Sequence, residues 1–362
     1  MKVLHVEAGR HLYGGAKQVL YIVEGLARRS VENLLACPTG AHIASAAGAH
    51  ARVFEMPMKG DVDIGLVFRL RRLIATERPE LVHIHSRRGA DLWGGLAARL
   101  AGVPCVLSRR VDNPEARWVV AAKYRLYDHV ITISDGIRDV LLAEGLAPDR
   151  VSCVRSAVDP APYLIDYDKA GYRAQLGLPA DTLLVGIVAQ LIARKGHRHL
   201  LAALKDVLPH HPHLQVLVFG RGPLEAELRQ AIVDQGLAGT VRLMGFVDNL
   251  PDILGCLDLL AHPADMEGLG VSLLQASAAR VPIIASRAGG MPEAVRDGEN
   301  GLLIPPGDVP ALAAAMNRLL GDADLRACMG EAGRALVLRE FSTEAMCDGN
   351  LAIYRKVLEE HR

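Results

Sequence analysis

The chain has 362 residues, which is room for two hydrophobic cores, because a single core stops growing at roughly 250 to 300 residues. Half of it is hydrophobic, mostly Ala, Leu and Val, and only 4% is aromatic, a composition that suits helix-covered parallel sheets and excludes a disordered chain. The 41 Lys and Arg balance 41 Asp and Glu, so no global charge argues for nucleic acid and any basic function is local.

The six cysteines, at 37, 105, 153, 256, 328 and 347, show no close pairs or metal-ligand spacing and read as reduced core residues. The first residues, Met-Lys-Val-Leu-His-Val-Glu, read as a strand and not as a signal peptide. No apolar stretch is long enough to span a bilayer, so a cytoplasmic enzyme is expected.

A strand at 2–6, a glycine loop at 9–15 and an amphipathic run at 16–29 open the chain. The loop lacks the compact G-x-G-x-x-G turn of dinucleotide binding, which disfavours a dehydrogenase. Gly14 and Gly15 then either let backbone approach a ligand or make a turn. Further strands are expected at 31–37, 51–55, 81–85, 104–108 and 129–134, with helices between them, so the first half is a series of βαβ units on a parallel sheet. Ligands bind such sheets beyond the carboxyl ends of the strands. There the sequence places His83, His85, Ser86, Arg87 and Arg88 after one strand, and Ser108, Arg109, Arg110 and Asp112 after the next. Two arginine pairs at adjacent strand ends make a compact basic site. His83 and His85 share one side of a strand, but no third ligand is evident, so hydrogen-bonded histidines are expected there and no metal.

Pro160-Ala-Pro162 breaks the series and sets a boundary, with domains expected at 1–160 and 161–340. A second series follows, with strands at 183–190, 214–220, 241–245, 257–262, 282–286 and 301–304, and the chain is helical after Asp308. His210, His211 and His213 surround a proline and read as a loop. The informative stretch is Ala261-His-Pro-Ala-Asp-Met-Glu-Gly-Leu-Gly-Val-Ser-Leu-Leu-Gln-Ala276. It reads as a strand end, an acidic residue and a glycine-led helix start. The backbone N–H groups of Leu269, Gly270 and Val271 form a candidate phosphate cradle, Gly268 and Gly270 permit close approach, and Glu267 and Gln275 flank it.

Several motifs in this order resemble the retaining glycosyltransferases of family four, which have the GT-B fold: Gly186-Ile-Val-Ala-Gln-Leu-Ile-Ala-Arg-Lys-Gly196, Phe219-Gly-Arg-Gly-Pro223, Val241-Arg-Leu-Met-Gly-Phe-Val-Asp248, the 261–276 stretch, and Ala288-Gly-Gly-Met-Pro-Glu293 with Asn300-Gly301. The likeness runs along nearly the whole chain. It implies an α/β architecture of two doubly wound Rossmann-like domains facing each other across a cleft, the first for the acceptor and the second for the donor. A C-terminal helix at about 341–362 would pack back on the first domain. The implied activity is transfer of a sugar from a nucleotide diphosphate sugar to a glycan or lipid-linked acceptor, with retention and no bound metal or other cofactor, in lipopolysaccharide, capsule or exopolysaccharide synthesis.

The resemblance also implies roles. The family's paired glutamates, seven residues apart, fall on Glu267, which would meet the donor sugar, and Gln275, which would meet the ribose. Gln275 departs from the family, since an amide lacks the charge-assisted acceptor pair of a carboxylate. The diphosphate-binding Arg and Lys fall on Gln190 and Lys195, with Arg194 a candidate replacement for the missing cation. Backbone near Gly245 and Phe246 would meet the base. A histidine found in some relatives falls on Arg110, so Arg109 or Arg110 is expected on donor phosphate or an anionic acceptor, with His85, Arg87 and Arg88 on the acceptor side. The alternatives are a sugar-nucleotide epimerase or hydrolase on this fold, a non-catalytic binding protein, and a metal-dependent transferase using Asp265 and Glu267. The basic runs at 67–74 and 117–125 offer peripheral contact with a membrane surface.

Overall fold

The computed structural model describes residues 1–12, 14–85, 89–111 and 113–361. It divides into two compact units: residues 1–157 with 343–362, and residues 158–342.

Unit 1 is built on β1 (Lys2–Val6), β2 (Glu32–Pro38), β3 (Arg52–Met56), β4 (Leu81–Ile84), β5 (Cys105–Arg109), β6 (His129–Thr132) and β7 (Val151–Cys153). All neighbours are parallel, in the order β3-β2-β1-β4-β5-β6-β7. Helices cover both faces, which is why the strands are continuous apolar runs without the alternation of a half-exposed sheet. The strand order reverses between β1 and β4, the place where such sheets open a crevice for ligands.

The strand expected over 129–134 ends at Thr132. Ser134 instead caps the helix Asp135–Ala143, its hydroxyl accepting from the Ile137 N–H at 3.2 Å. A side-chain oxygen so placed satisfies one of the first free N–H groups of a helix, and this stops the strand. The helix Thr343–Glu360 belongs to unit 1 and lies against the helix Gly15–Arg28. Gly25 permits that contact, since a Cβ there would sit 2.1 Å from the Cys347 Sγ.

Unit 2 repeats the plan with β8 (Leu184–Val188), β9 (Gln215–Phe219), β10 (Val241–Gly245), β11 (Leu259–His262), β12 (Ile283–Ser286) and β13 (Gly301–Ile304), ordered β10-β9-β8-β11-β12-β13 and parallel throughout. Its reversal lies between β8 and β11. The core joins Val185, Ile187, Val216, Val218, Leu259 and Ala261 of the sheet to Leu200, Leu204, Leu312 and Met316 of the covering helices. Among the described residues no helix is long and apolar enough to cross a membrane.

Candidate active site

Each reversal point holds a cluster of polar side chains. In unit 2 the loop after β8 ends in the short turn Ala193–Lys195, and Gly196 follows at φ 72°. Any Cβ on residue 196 would lie 1.8 Å from the Pro263 carbonyl oxygen, so glycine alone lets this loop press against the end of β11. The close approach carries Lys195 onto Glu267. Their side chains form an ion pair and are only 10% and 15% exposed.

His262, the last residue of β11 and itself buried, donates from Nε2 to the Glu267 Oε2 at 3.1 Å, and the Gly268 N–H reaches Oε1 at 3.1 Å. Burial alone would raise the Glu267 pKa. The hydrogen bond from His262 and the charge of Lys195 outweigh it and hold the carboxyl far below the ordinary carboxylate range. Glu267 is therefore a fixed anion. Its two oxygens face three donors.

Arg194 turns inward, its Nη1 donating to the Met266 carbonyl at 3.3 Å. The guanidinium thus reaches the loop that carries Glu267. Asp265 pairs elsewhere, with Arg198 at 3.2 Å and His199 at 3.0 Å. The two carboxylates of Asp265-Met-Glu267 are thereby split between separate cationic partners.

The helix Val271–Ala278 begins behind Gly270, at φ 86°, with no side-chain cap. Among the described residues, the N–H groups of Leu269, Gly270 and Val271 have no hydrogen-bond acceptor. With the positive end of the helix dipole behind them, these N–H groups could hold an anion within a few residues of Glu267. The Gly268 N–H serves Glu267 and stays outside these three. Gln275 lies half-buried one turn along the helix, Gln190 is exposed at the end of β8, and Gly245, at φ 69°, precedes the half-exposed Phe246 at the end of β10.

In unit 1 the end of β1 brings His5 beside His83 and His85. The His5 Nδ1 lies 2.9 Å from the His85 Nε2, and the His83 and His85 ring centroids are 3.7 Å apart with the rings tilted by 38°. All three are buried. Burial lowers the His5 pKa to about 4, against the hydrogen bond to Asn33, which raises it. It lowers His83 and His85 well below the ordinary value, with their mutual repulsion and the charge of Arg110 adding to the shift. The third member that the sequence did not reveal is His5, brought in by strand pairing from 78 residues before His83.

Arg110 follows β5, with its Cδ 3.5 Å from where a Gly15 Cβ would be, and its Nε is buried without a hydrogen-bond partner. Gly14, at φ 53°, starts the adjoining helix. Arg109 departs from expectation. It is buried, pairs with Glu115 at 3.0 Å, and donates to the carbonyls of Val111 at 2.9 Å and Asn113 at 2.5 Å. Its guanidinium holds the loop after β5 and is turned away from an acceptor role. As the last residue of β5 its side chain points into the fold, whereas Arg110 lies one residue beyond the strand. Arg87 and Arg88, with Ser86 and Asp112, fall outside the described residues.

Residues 168–336 match the family described as Glycosyl transferases group 1, and residues 13–162 match Glycosyltransferase Family 4. An alpha-maltose-1-phosphate synthase of Mycolicibacterium smegmatis is 32% identical over 78% of this chain and 80% of its own length. The chain is a family-four glycosyltransferase. A lipopolysaccharide core biosynthesis glycosyltransferase of Rhizobium meliloti is 26% identical over 98% of both chains. An Anabaena protein crystallised with UDP and glucose shares the fold at a TM-score of 0.84, with 21% identity, over 98% of this chain and all of that one. The two doubly wound units of this glycosyltransferase are those of the GT-B fold.

His262 and His199 went unread in the sequence of this glycosyltransferase. His262 left a faint signal as a polar residue ending an apolar strand five residues before Glu267. His199 left none, because only the helix it sits on brings it to Asp265.

Proposed function

We propose that this glycosyltransferase is retaining and metal-independent, and that it moves a sugar from a nucleotide diphosphate sugar to a glycan or lipid-linked acceptor in envelope polysaccharide assembly. Unit 2 takes the donor and unit 1 the acceptor. The observation that carries the reading is the junction of Lys195, the fixed Glu267 anion and the cradle of Leu269, Gly270 and Val271. The cradle and the cations Lys195 and Arg194 suit a diphosphate, and Glu267 suits hydroxyls of the attached sugar. As the bond from the anomeric carbon to phosphate breaks, its electron pair goes to the phosphate oxygen. Donors fixed in advance stabilise that charge most. The acceptor hydroxyl attacks the same face and passes its proton to the leaving phosphate oxygen, so no protein nucleophile is needed.

Envelope assembly is supported by the Rhizobium meliloti relative, named for lipopolysaccharide core biosynthesis. A lipid-linked acceptor is supported by the surface of unit 1. The expected basic runs pack Val67, Leu70 and Val120 inward but leave Phe68 66% and Trp118 76% exposed, among the exposed Arg71, Arg72, Arg117 and Arg125. Exposed apolar and basic side chains on the same helical runs suit the interface of an anionic bilayer.

The test is incubation with UDP-, GDP- and ADP-sugars, with and without glycan and lipid-linked acceptors, in buffer with and without chelator. Transfer with retention that chelator leaves undiminished is expected. Donor turnover that ignores every acceptor would favour an epimerase or hydrolase. Flotation with anionic liposomes checks the membrane contact, and recovery of no protein would remove it.

A further inference from the structure

The histidine cluster of unit 1 has a direction. Asn33 donates through Nδ2 to the carbonyls of Val23 at 3.0 Å and His50 at 3.2 Å, which fixes its amide orientation and aims Oδ1 at the His5 Nε2, 3.2 Å away. That oxygen only accepts, so the neutral His5 carries its proton on Nε2 and a lone pair on Nδ1. The His85 Nε2, 2.9 Å from that lone pair, must then be the donor. A neutral His85 so held has its own lone pair on Nδ1. This atom is buried and has no partner, in a residue only 2% exposed.

His83 does not compete for it. Both of its nitrogens are taken, Nδ1 by the Tyr354 hydroxyl at 2.5 Å and Nε2 by the Ser108 hydroxyl at 2.8 Å. A buried acceptor without a donor costs about 1 to 3 kcal/mol, and such a cost persists where a ligand later supplies the missing group. Arg110 is the nearby counterpart, with a buried Nε that donates to nothing. One unused acceptor and one unused donor at the ends of β4 and β5 are complementary to a hydroxyl, which both gives and receives a hydrogen bond.

We propose that Asn33 and His5 are positioning residues that lock His85 in its Nε2–H tautomer, so that the His85 Nδ1 accepts a hydrogen bond from a hydroxyl of the acceptor sugar. This rests on the reading that unit 1 holds the acceptor. His85 is thereby a specificity-determining contact for a free hydroxyl: a substrate lacking it leaves Nδ1 unpaired, the arrangement by which polar sites discriminate most strongly.

The tautomer is read on the full wild-type chain by selective 15N-histidine labelling and two-bond proton–nitrogen correlation at pH 7. Protons on Nε2 of both His5 and His85 are expected. A proton on the His85 Nδ1 overturns the proposal whatever the enzyme transfers, and so does zinc retained at one per chain, which would make the three imidazoles a metal site. Ligation is read with methyl α-glucoside and methyl α-mannoside as hydroxyl probes in the presence of UDP. The His85 Nδ1 signal is expected to move as its lone pair is engaged, and its failure to move with either probe overturns the ligand half. Asn33→Leu is expected to weaken probe binding about tenfold, and His85→Gln to weaken it more, with UDP affinity within twofold of wild type. Equal loss of UDP and probe binding in both variants would reduce the chain to a structural role and overturn the proposal. Absence of any UDP binding or transfer by the wild type would instead count against the proposed function and leave the tautomer result standing.

Discussion

The two reversal points occupy equivalent places in equivalent sheets, yet they are built from opposite electrostatics. Between β8 and β11 a carboxylate is kept ionised by a lysine and a histidine pressed against it. Between β1 and β4 three histidines are kept neutral by burial. The same backbone thus carries an ionised carboxylate among cations at one set of strand ends and a neutral, directional chain of histidines beside a single arginine at the other. The fold sets where a ligand goes, and the side chains at the strand ends set what charge it carries.

Breaking the charged pair is the strongest way to test the contrast. Lys195→Ala leaves the Glu267 carboxylate without its lysine, and loss of one partner from a buried pair costs about 3 to 5 kcal/mol. Denaturant unfolding is expected to show a large fall in stability, and transfer is expected to vanish. Glu267→Ala should likewise cost at least about a hundredfold in kcat, the size seen on removing a preorganised transition-state contact. Full transfer activity in either variant would refute the donor-site assignment.

Acid separates the two sites next. A histidine held neutral in the fold binds its proton only on unfolding, so stability is lost as pH falls from 6.5 toward about 4 for His5. That shift corresponds to roughly 3 kcal/mol, at about 1.4 kcal/mol per pH unit. His83 and His85 move the same way. Glu267 behaves differently. Its folded pKa lies below its ordinary 4.5, so its contribution is intact above 4.5 and is lost only as pH falls further, toward the folded value. Unfolding followed across pH 7 to 4 should therefore show a loss already under way at pH 6, to which the buried His129 and His197, also lowered to about 4, add their share, and His5→Gln should make that loss shallower.

Gly196→Ala is expected to destabilise by at least about 2 kcal/mol, combining a left-handed backbone with a clash on the Pro263 carbonyl. Thermal unfolding measures it, and a wild-type melting temperature would show that the loop carrying Lys195 is looser than its geometry implies. The smallest change restores the family's second glutamate. Gln275→Glu is expected to tighten nucleotide binding severalfold, about 1 kcal/mol, through a charge-assisted pair to a ribose diol. Calorimetry with UDP, GDP and ADP would detect it, and unchanged affinity for all three would remove residue 275 from the ribose site.

Strand and helix alternation made the two parallel sheets legible in the sequence, because strands buried on both faces are continuous apolar runs that survive inspection one segment at a time. Glu267 and the helix start at Gly270 were legible from the glycine-led end of an apolar strand, whereas Lys195 was legible only through the resemblance to the family. The histidine chain was not. It joins β1, β2 and the end of β4, and nothing at 5 or 33 marks those positions as neighbours of 85 until the register pairs His5 with His83. Arg109 and Arg110 show the limit most simply. Two identical residues side by side part where the strand ends, Arg109 into an internal ion pair and Arg110 beside Gly15 with an unpaired Nε.

The helix Thr343–Glu360 has a consequence for synthesis on the ribosome. Unit 2 is complete before that helix is made, whereas unit 1 waits for it, since Tyr354 supplies the hydroxyl that engages His83 and packs with Val3, Leu26 and Ile131. The usual order, in which the domain translated first folds first, is therefore inverted at its last step. The wall of the first sheet that receives the closing helix therefore cannot be covered by it until residues 343–360 have left the ribosome.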